Sequence, residues 1–166
     1  MNKRLAAQGL MAIIVLLALF AYHYDAQREL KREIGSGYHI NMRNIEIALE
    51  NIDYDVLADL NSDGEAYGYH DRLRFMLMNS DVVPYQGQPE LQALLSDIRT
   101  SLSDFDFEGE LPPEQQQALN ANIRKVCFII SDFQDMLGSN LDWYKAFTNP
   151  DEKLRQRVQE RLEMEY

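Results

Sequence analysis

The oxygen-bearing side chains with the most regular spacing lie in Asp59-Leu60-Asn61-Ser62-Asp63-Gly64-Glu65. Asp59, Asn61 and Asp63 stand at alternate positions, and Gly64 follows where a chain wrapping an ion must turn sharply. Hard oxygen donors at positions 1, 3 and 5 with glycine at 6 are what a calcium ion needs from a short loop. Glu65 adds a further carboxylate. The pattern then departs from that chemistry. The position that should close the shell with a bidentate carboxylate is His70, with Asp71 one residue late, and Ala66 stands where a branched aliphatic side chain is usual.

Over about a dozen residues this stretch resembles the loops of EF-hand and dockerin modules, and the resemblance implies Asp59, Asn61, Asp63 and Glu65 as metal candidates. The competing reading is a turn between helices, since Asn, Ser, Asp and Gly favour turns and caps without any ion. Other chemistry is poorly supplied. None of His23, His39 and His70 stands three or four residues from another, and no Glu-x-x-His pair is present for a di-metal site. The single cysteine, Cys127, sits in the apolar run Val126-Cys127-Phe128-Ile129-Ile130 and is expected to be a packed thiol. No phosphate-binding Gly-x-x-x-x-Gly-Lys and no Gly-x-Ser-x-Gly turn occurs, so catalysis is not expected. No cofactor is expected either, calcium at the Asp59 loop being the alternative. Tyr54, Tyr67, Tyr69 and Tyr85 could gather at one end of the fold as a binding surface or simply cover the core. Asp104, Asp106, Glu108 and Glu110, alternating with Phe105 and Phe107, form an acidic run that a basic partner could use.

Charge and hydropathy are divided unequally along the chain. Its 166 residues carry 16 Lys and Arg against 27 Asp and Glu, and only Lys3 and Arg4 of these precede Asp25. The part after Tyr24 therefore holds 14 basic against 27 acidic residues, a formal charge of −13. It should repel phosphate backbones, which argues against a nucleic-acid partner. Residues 5–24, by contrast, carry no Asp, Glu, Lys or Arg, and Leu10 to Tyr22 is unbroken apolar sequence. About 20 residues at 1.5 Å each cross a hydrocarbon core of about 30 Å. Cleavage as a secretory signal would want small residues at −3 and −1, but Leu19 precedes Ala21 and Tyr24 precedes Ala26. Residues 1–24 are thus expected to remain as a signal-anchor in the lipid bilayer, with Tyr22 and Tyr24 at its interface. Lys3 and Arg4 on a very short tail favour N-terminus inside and domain outside, against Arg28, Lys31 and Arg32 on the other flank.

The elements that must position these residues read as helices. Leu30, Ile34, Tyr38, Met42, Ile45, Leu49, Ile52 and Val56 recur at steps of three and four, which predicts one nearly continuous helix from Asp25 to about Leu60 with a soft point at Gly35-Ser36-Gly37. A loop at residues 61–64 and a shorter helix from Tyr67 to Asn79 follow. Pro89 at a first helical position opens a stripe of Leu91, Leu94, Leu95, Ile98, Leu102 and Phe105. Pro112-Pro113 opens another, through Leu119, Ile123, Val126, Ile130, Phe133 and Leu137, with Gly138 as its stop. Trp143, Tyr144 and Phe147 make an aromatic cluster, and Asn149-Pro150-Asp151 starts a last helix with Leu154, Val158 and Leu162.

No strand-like alternation of useful length appears. The predicted fold is all-α: a single transmembrane helix over residues 1–24, then an acidic soluble domain over residues 25–166 built as an antiparallel bundle of about four main helices. In outline this resembles the extracytoplasmic helical bundles of bacterial membrane sensors. The functional expectation is a single-pass cell-membrane protein acting by interaction, as accessory subunit, adaptor or ligand-sensing module. Its partners would be the bilayer, through residues 5–24, and another membrane or extracytoplasmic protein. The alternative is a calcium-responsive extracytoplasmic domain using the Asp59–Glu65 loop.

Overall fold

The computed structural model describes residues 3–50, 52–62, 86–108 and 110–164. These residues form six helices and no strand: α1 (Lys3–Leu49), α2 (Tyr54–Ser62), α3 (Pro89–Glu108), α4 (Pro113–Met136), α5 (Asn140–Thr148) and α6 (Glu152–Glu163). The expected helix from Tyr67 to Asn79 lies outside the described residues.

Among the described residues one helix is long and apolar enough to cross a membrane, and it is α1. Its 47 residues run for about 70 Å. Residues 8–34 are exposed on every side, with Leu16, Leu17 and Phe20 each at least 62% exposed. Such a run of bare apolar side chains is costly in water and neutral in lipid. From Gly35 onward one face of α1 enters the core, carrying Tyr38, Met42, Ile45 and Leu49.

α4 is the hub of the bundle, packing against α1, α2, α3 and α6. Leu119, Ile123, Val126, Ile130 and Phe133 line its buried side, and the facing stripe of α3 buries Leu91, Leu95, Ile98, Leu102 and Phe105. Chain direction follows from the cross-contacts. Gln134 near the end of α4 donates to Glu46 of α1, whereas Asn120 near its start meets Tyr54 beyond the end of α1. α4 therefore runs antiparallel to α1. Arg157 and Arg161 of α6 both reach Asp132, and Lys125 reaches the carbonyl of Leu162, so α6 runs antiparallel to α4 in turn. α1, α3, α4 and α6 are the main helices of the expected bundle, and α2 and α5 are the short ones.

Three local expectations need correction. The helix that continues from the apolar stretch stops at Leu49 and not near Leu60. The carboxylate of Asp53 accepts from the Val56 N–H at 3.0 Å, a helix cap that starts α2 afresh. The phase shifts with it: Leu57 is fully buried, while Val56 of the expected stripe is 38% exposed. Leu30 and Ile34 belong to the stripe by spacing but precede the bundle, and they stay exposed. Gly138 does not stop α4. Leu137 turns extended at φ −105° and ψ 103°, and Ser139 then caps α5.

Candidate functional site

The aromatic cluster read from the sequence is the buried face of α5. Ser139 accepts from the Asp142 N–H, and Trp143, Ala146 and Phe147 recur at three and four to make an apolar face on a nine-residue helix. That face lies on α1 where it enters the bundle. Phe147 stacks on Tyr38 with centroids 4.6 Å apart, and Trp143 stacks on His39 at 4.7 Å. Phe133 of α4 meets both rings edge-on, at 6.2 Å from Trp143 and 5.6 Å from Phe147. Aromatic pairs in these geometries add about 0.5–1.5 kcal/mol beyond the area they bury. At the rim the Lys31 ammonium lies 5.8 Å above the Tyr144 ring. Burial, then the neighbouring Tyr144, raises the Tyr38 phenol above its usual value of 10.0, so the ring stays neutral.

Gly35 makes this crossing possible. A Cβ at Gly35 would fall 1.7 Å from the Asn140 carbonyl oxygen and 2.9 Å from the Tyr144 nitrogen, both backbone atoms. The two helices pass closer than any side chain permits. Gly37, two residues on, is exposed with nothing within 4 Å of such an atom. The expected soft point is therefore a continuous stretch of helix, and its first glycine is a contact surface.

The far end of α5 is secured by the turn before α3. The Gly87 N–H donates to the Phe147 carbonyl at 2.8 Å, and the Gln88 amide donates to the Ala146 carbonyl at 2.8 Å. These bonds satisfy carbonyls that a helix end leaves open. Gln88 is one of only two polar residues buried among those described.

The other is Asp132, on the inner side of α4 beside Ile129, Ile130 and Phe133. Arg161 grips it with two bonds, Nε to Oδ2 at 2.6 Å and Nη2 to Oδ1 at 3.0 Å, while Arg157 Nε adds a third at 3.1 Å. The Arg161 guanidinium also lies 5.1 Å over the Phe128 ring. Hydrogen bonding from Arg161 holds the Asp132 carboxyl below its ordinary 3.8, and burial opposes that shift. The arrangement docks the charged helix α6 onto the hub. A carboxylate inside the apolar stripe of α4, with two arginines four apart on α6, is a signal the sequence carries, although the sequence reading left it unused.

The sequence-predicted site residues are only partly gathered. Asp59 and Asn61 lie on the helical backbone of α2, which runs through Ser62, while Asp63, Glu65 and His70 lie outside the described residues. Among the described residues no group of three or more His, Cys, Asp or Glu side chains is placed to hold a metal ion. His39 stacks in the α1–α5 seam, and His23 pairs with Gln27 at 3.0 Å on the exposed helix. Cys127 is half-buried, and burial followed by Glu46 and Glu50 pushes its thiol up to about 11, which keeps it protonated and unreactive. Tyr54 does not join an open tyrosine surface: its ring meets Phe105 edge-on at 5.7 Å and its hydroxyl accepts from the Leu111 N–H at 3.3 Å. Tyr67, Tyr69 and Tyr85 lie outside the described residues. Of the acidic run, Glu110 is exposed and Asp104 half-buried. A groove of about 680 Å³ between Gln86–Glu90 and α6 is open and carries charges of both signs, Arg155 and Glu163 among them.

No protein-family model matches this chain, and no curated protein or solved structure matches it.

Proposed function

We propose that this chain is a single-pass membrane protein whose acidic helical domain stands outside the cytoplasm and works by binding, as accessory subunit, adaptor or ligand-sensing module, with no chemistry of its own. The observation that carries the reading is the junction of α1 with α5. One helix leaves the apolar stretch and continues unbroken past Gly35, where α5 clasps it through stacked rings and a backbone contact. A joint of this kind transmits rotation or tilt of the membrane helix directly into the bundle. A protein that only needed tethering would be served by a flexible linker. The orientation rests on Lys3 and Arg4, which flank the apolar stretch on its N-terminal side. The domain charge of −13 favours a basic or neutral protein partner over nucleic acid or anionic lipid.

Topology is tested with a tag at Tyr166 in intact cells. Added protease should remove the tag while the membrane fraction keeps the N-terminal fragment. A tag protected until the cytoplasm is opened would reverse the orientation. Release of full-sized domain without protease would mean that the apolar stretch is a cleaved signal.

A further inference from the structure

The bundle covers one face of α1 and leaves the opposite face bare. On that face Ile40 is 57% exposed and Ile47 60%, with Leu30 at 56% before the bundle begins. Gly37 and Asn44 lie between them and are also exposed. The spacing 30, 37, 44 and 33, 40, 47 is a heptad, with Leu30, Gly37 and Asn44 at its a positions and Ile40 and Ile47 at d. Gly35, Met42 and Leu49, which face the bundle, fall at f, on the opposite side. The same phase continues toward the N-terminus through Ala26, His23, Leu19, Leu16, Ala12 and Gly9. The same register can thus be followed from the apolar stretch to the end of the helix, with Glu33 at one d position.

We infer that this seam is the contact between two copies of the chain, packed in parallel about a twofold axis along the membrane normal. The inference rests on residues 5–24 being held in a bilayer. Shared anchoring then brings any two copies side by side, parallel and at the same height, so that each a or d residue meets its own counterpart. Asn44 fits that geometry. A carboxamide both donates and accepts, so it can bond to its twin across the axis, and one asparagine at an a position fixes register and number of strands. Charge permits contact over the middle of the seam, between Glu33 and Glu46. Between Ile34 and Ile45 the helix holds no carboxylate and one Arg, although the domain as a whole is strongly acidic.

The available area sets the condition for pairing. Leu30, Ile40 and Ile47 offer on the order of 100 Å² each, or roughly 600 Å² over two copies. A stable complex in solution needs about 1,200–2,000 Å². Glu33 at a d position weakens the seam further. The contact therefore depends on the bilayer, which confines the copies and extends the seam into lipid, where left-handed packing of the same period is common.

Donor- and acceptor-labelled full-length chains, reconstituted in phosphatidylcholine vesicles at high dilution, should show energy transfer that unlabelled chain competes away. Ile40→Lys with Ile47→Lys should weaken association about tenfold or more, with helicity and melting temperature unchanged because both side chains are exposed. In a Cys127→Ala background, Asn44→Cys should form a disulfide dimer under mild oxidant and Gln117→Cys should not. Absence of transfer in a chain that resists alkaline extraction would overturn the pairing, as would transfer that survives the double lysine variant. Extraction of the chain by alkaline carbonate would instead remove the membrane reading, and the inference with it.

Discussion

Alanine at Gly35 and alanine at Gly37 should change stability in opposite directions, although the two glycines stand two residues apart on one helix. Each substitution removes the entropic penalty of a helical glycine, worth up to about 1 kcal/mol. At Gly37 nothing lies within 4 Å of the new atom, so the full gain should appear. At Gly35 the new atom meets the Asn140 carbonyl oxygen at 1.7 Å, and since the obstacle is backbone, no rotamer change relieves it. α5 would have to retreat by more than an ångström. Overpacking alone costs about 1–3 kcal/mol, and retreat also loosens the Tyr38–Phe147 and His39–Trp143 stacks, each worth about 0.5–1.5 kcal/mol. After the propensity gain is subtracted, Gly35→Ala should lose about 1–5 kcal/mol. Thermal melts of the full-length chain in detergent micelles, followed by circular dichroism, measure both variants. Trp143, the single tryptophan, adds a local reading, because its emission should shift to the red only if α5 loosens. A higher melting temperature for both variants would refute the close crossing, and with it the joint on which the proposed function stands.

Truncating Leu95 or Leu102 to alanine, both on the face of α3 that packs against α4, should cost about 2–5 kcal/mol in urea unfolding, and a loss below about 1 kcal/mol at both sites would contradict the burial. Asp132→Asn should cost about 3 kcal/mol by leaving Arg161 without its carboxylate. Because the Asp132 carboxyl is held below its ordinary 3.8, its contribution is complete above that pH and is lost as acid titrates it in the folded state. Wild type should therefore lose stability below about pH 4 more steeply than Asp132→Asn, and parallel acid curves would show that the ion cluster does not hold α6. Millimolar calcium should leave the melting temperature unchanged, since α2 keeps helical backbone through Ser62 over the first four positions of the resembling loop; a rise of several degrees that a chelator reverses would restore Asp59, Asn61, Asp63 and Glu65 as a site.

The helices that were legible in the sequence share one property: their boundaries are written locally. Pro89 opens α3, Pro113 opens α4 and Asp151 caps α6, and each then buries a stripe of period 3.6. α5 was legible only as an aromatic cluster, because nine residues hold too few repeats to establish a period and its cap is a single serine. The break at Glu50–Asp53 was hidden for a related reason. The apolar spacing keeps its phase through Ile52 and Val56, and the capping carboxylate of Asp53 outweighs it. Periodicity also names a face without naming what covers it. Leu30 and Ile34 continue the stripe of α1, yet the bundle starts only at Gly35.

The two glycines show where sequence reasoning stops and packing takes over. Gly-Ser-Gly in a helix reads as a weak point, since each glycine destabilises the helix by itself. For Gly37 that reading is complete. For Gly35 it has the wrong sign, because the stabilising partner is Asn140, more than a hundred residues away in the chain, and only the crossing brings them together. The consequence reaches the surface of α1. At 100° per residue, positions 35 and 37 point about 200° apart, so the face that receives α5 and the face that carries Ile40, Asn44 and Ile47 do not compete. α1 can be clasped by its own bundle on one side and by a second copy on the other. Any change in how two such helices pack would then reach both bundles through the Gly35 crossings, with no flexible segment between to absorb it.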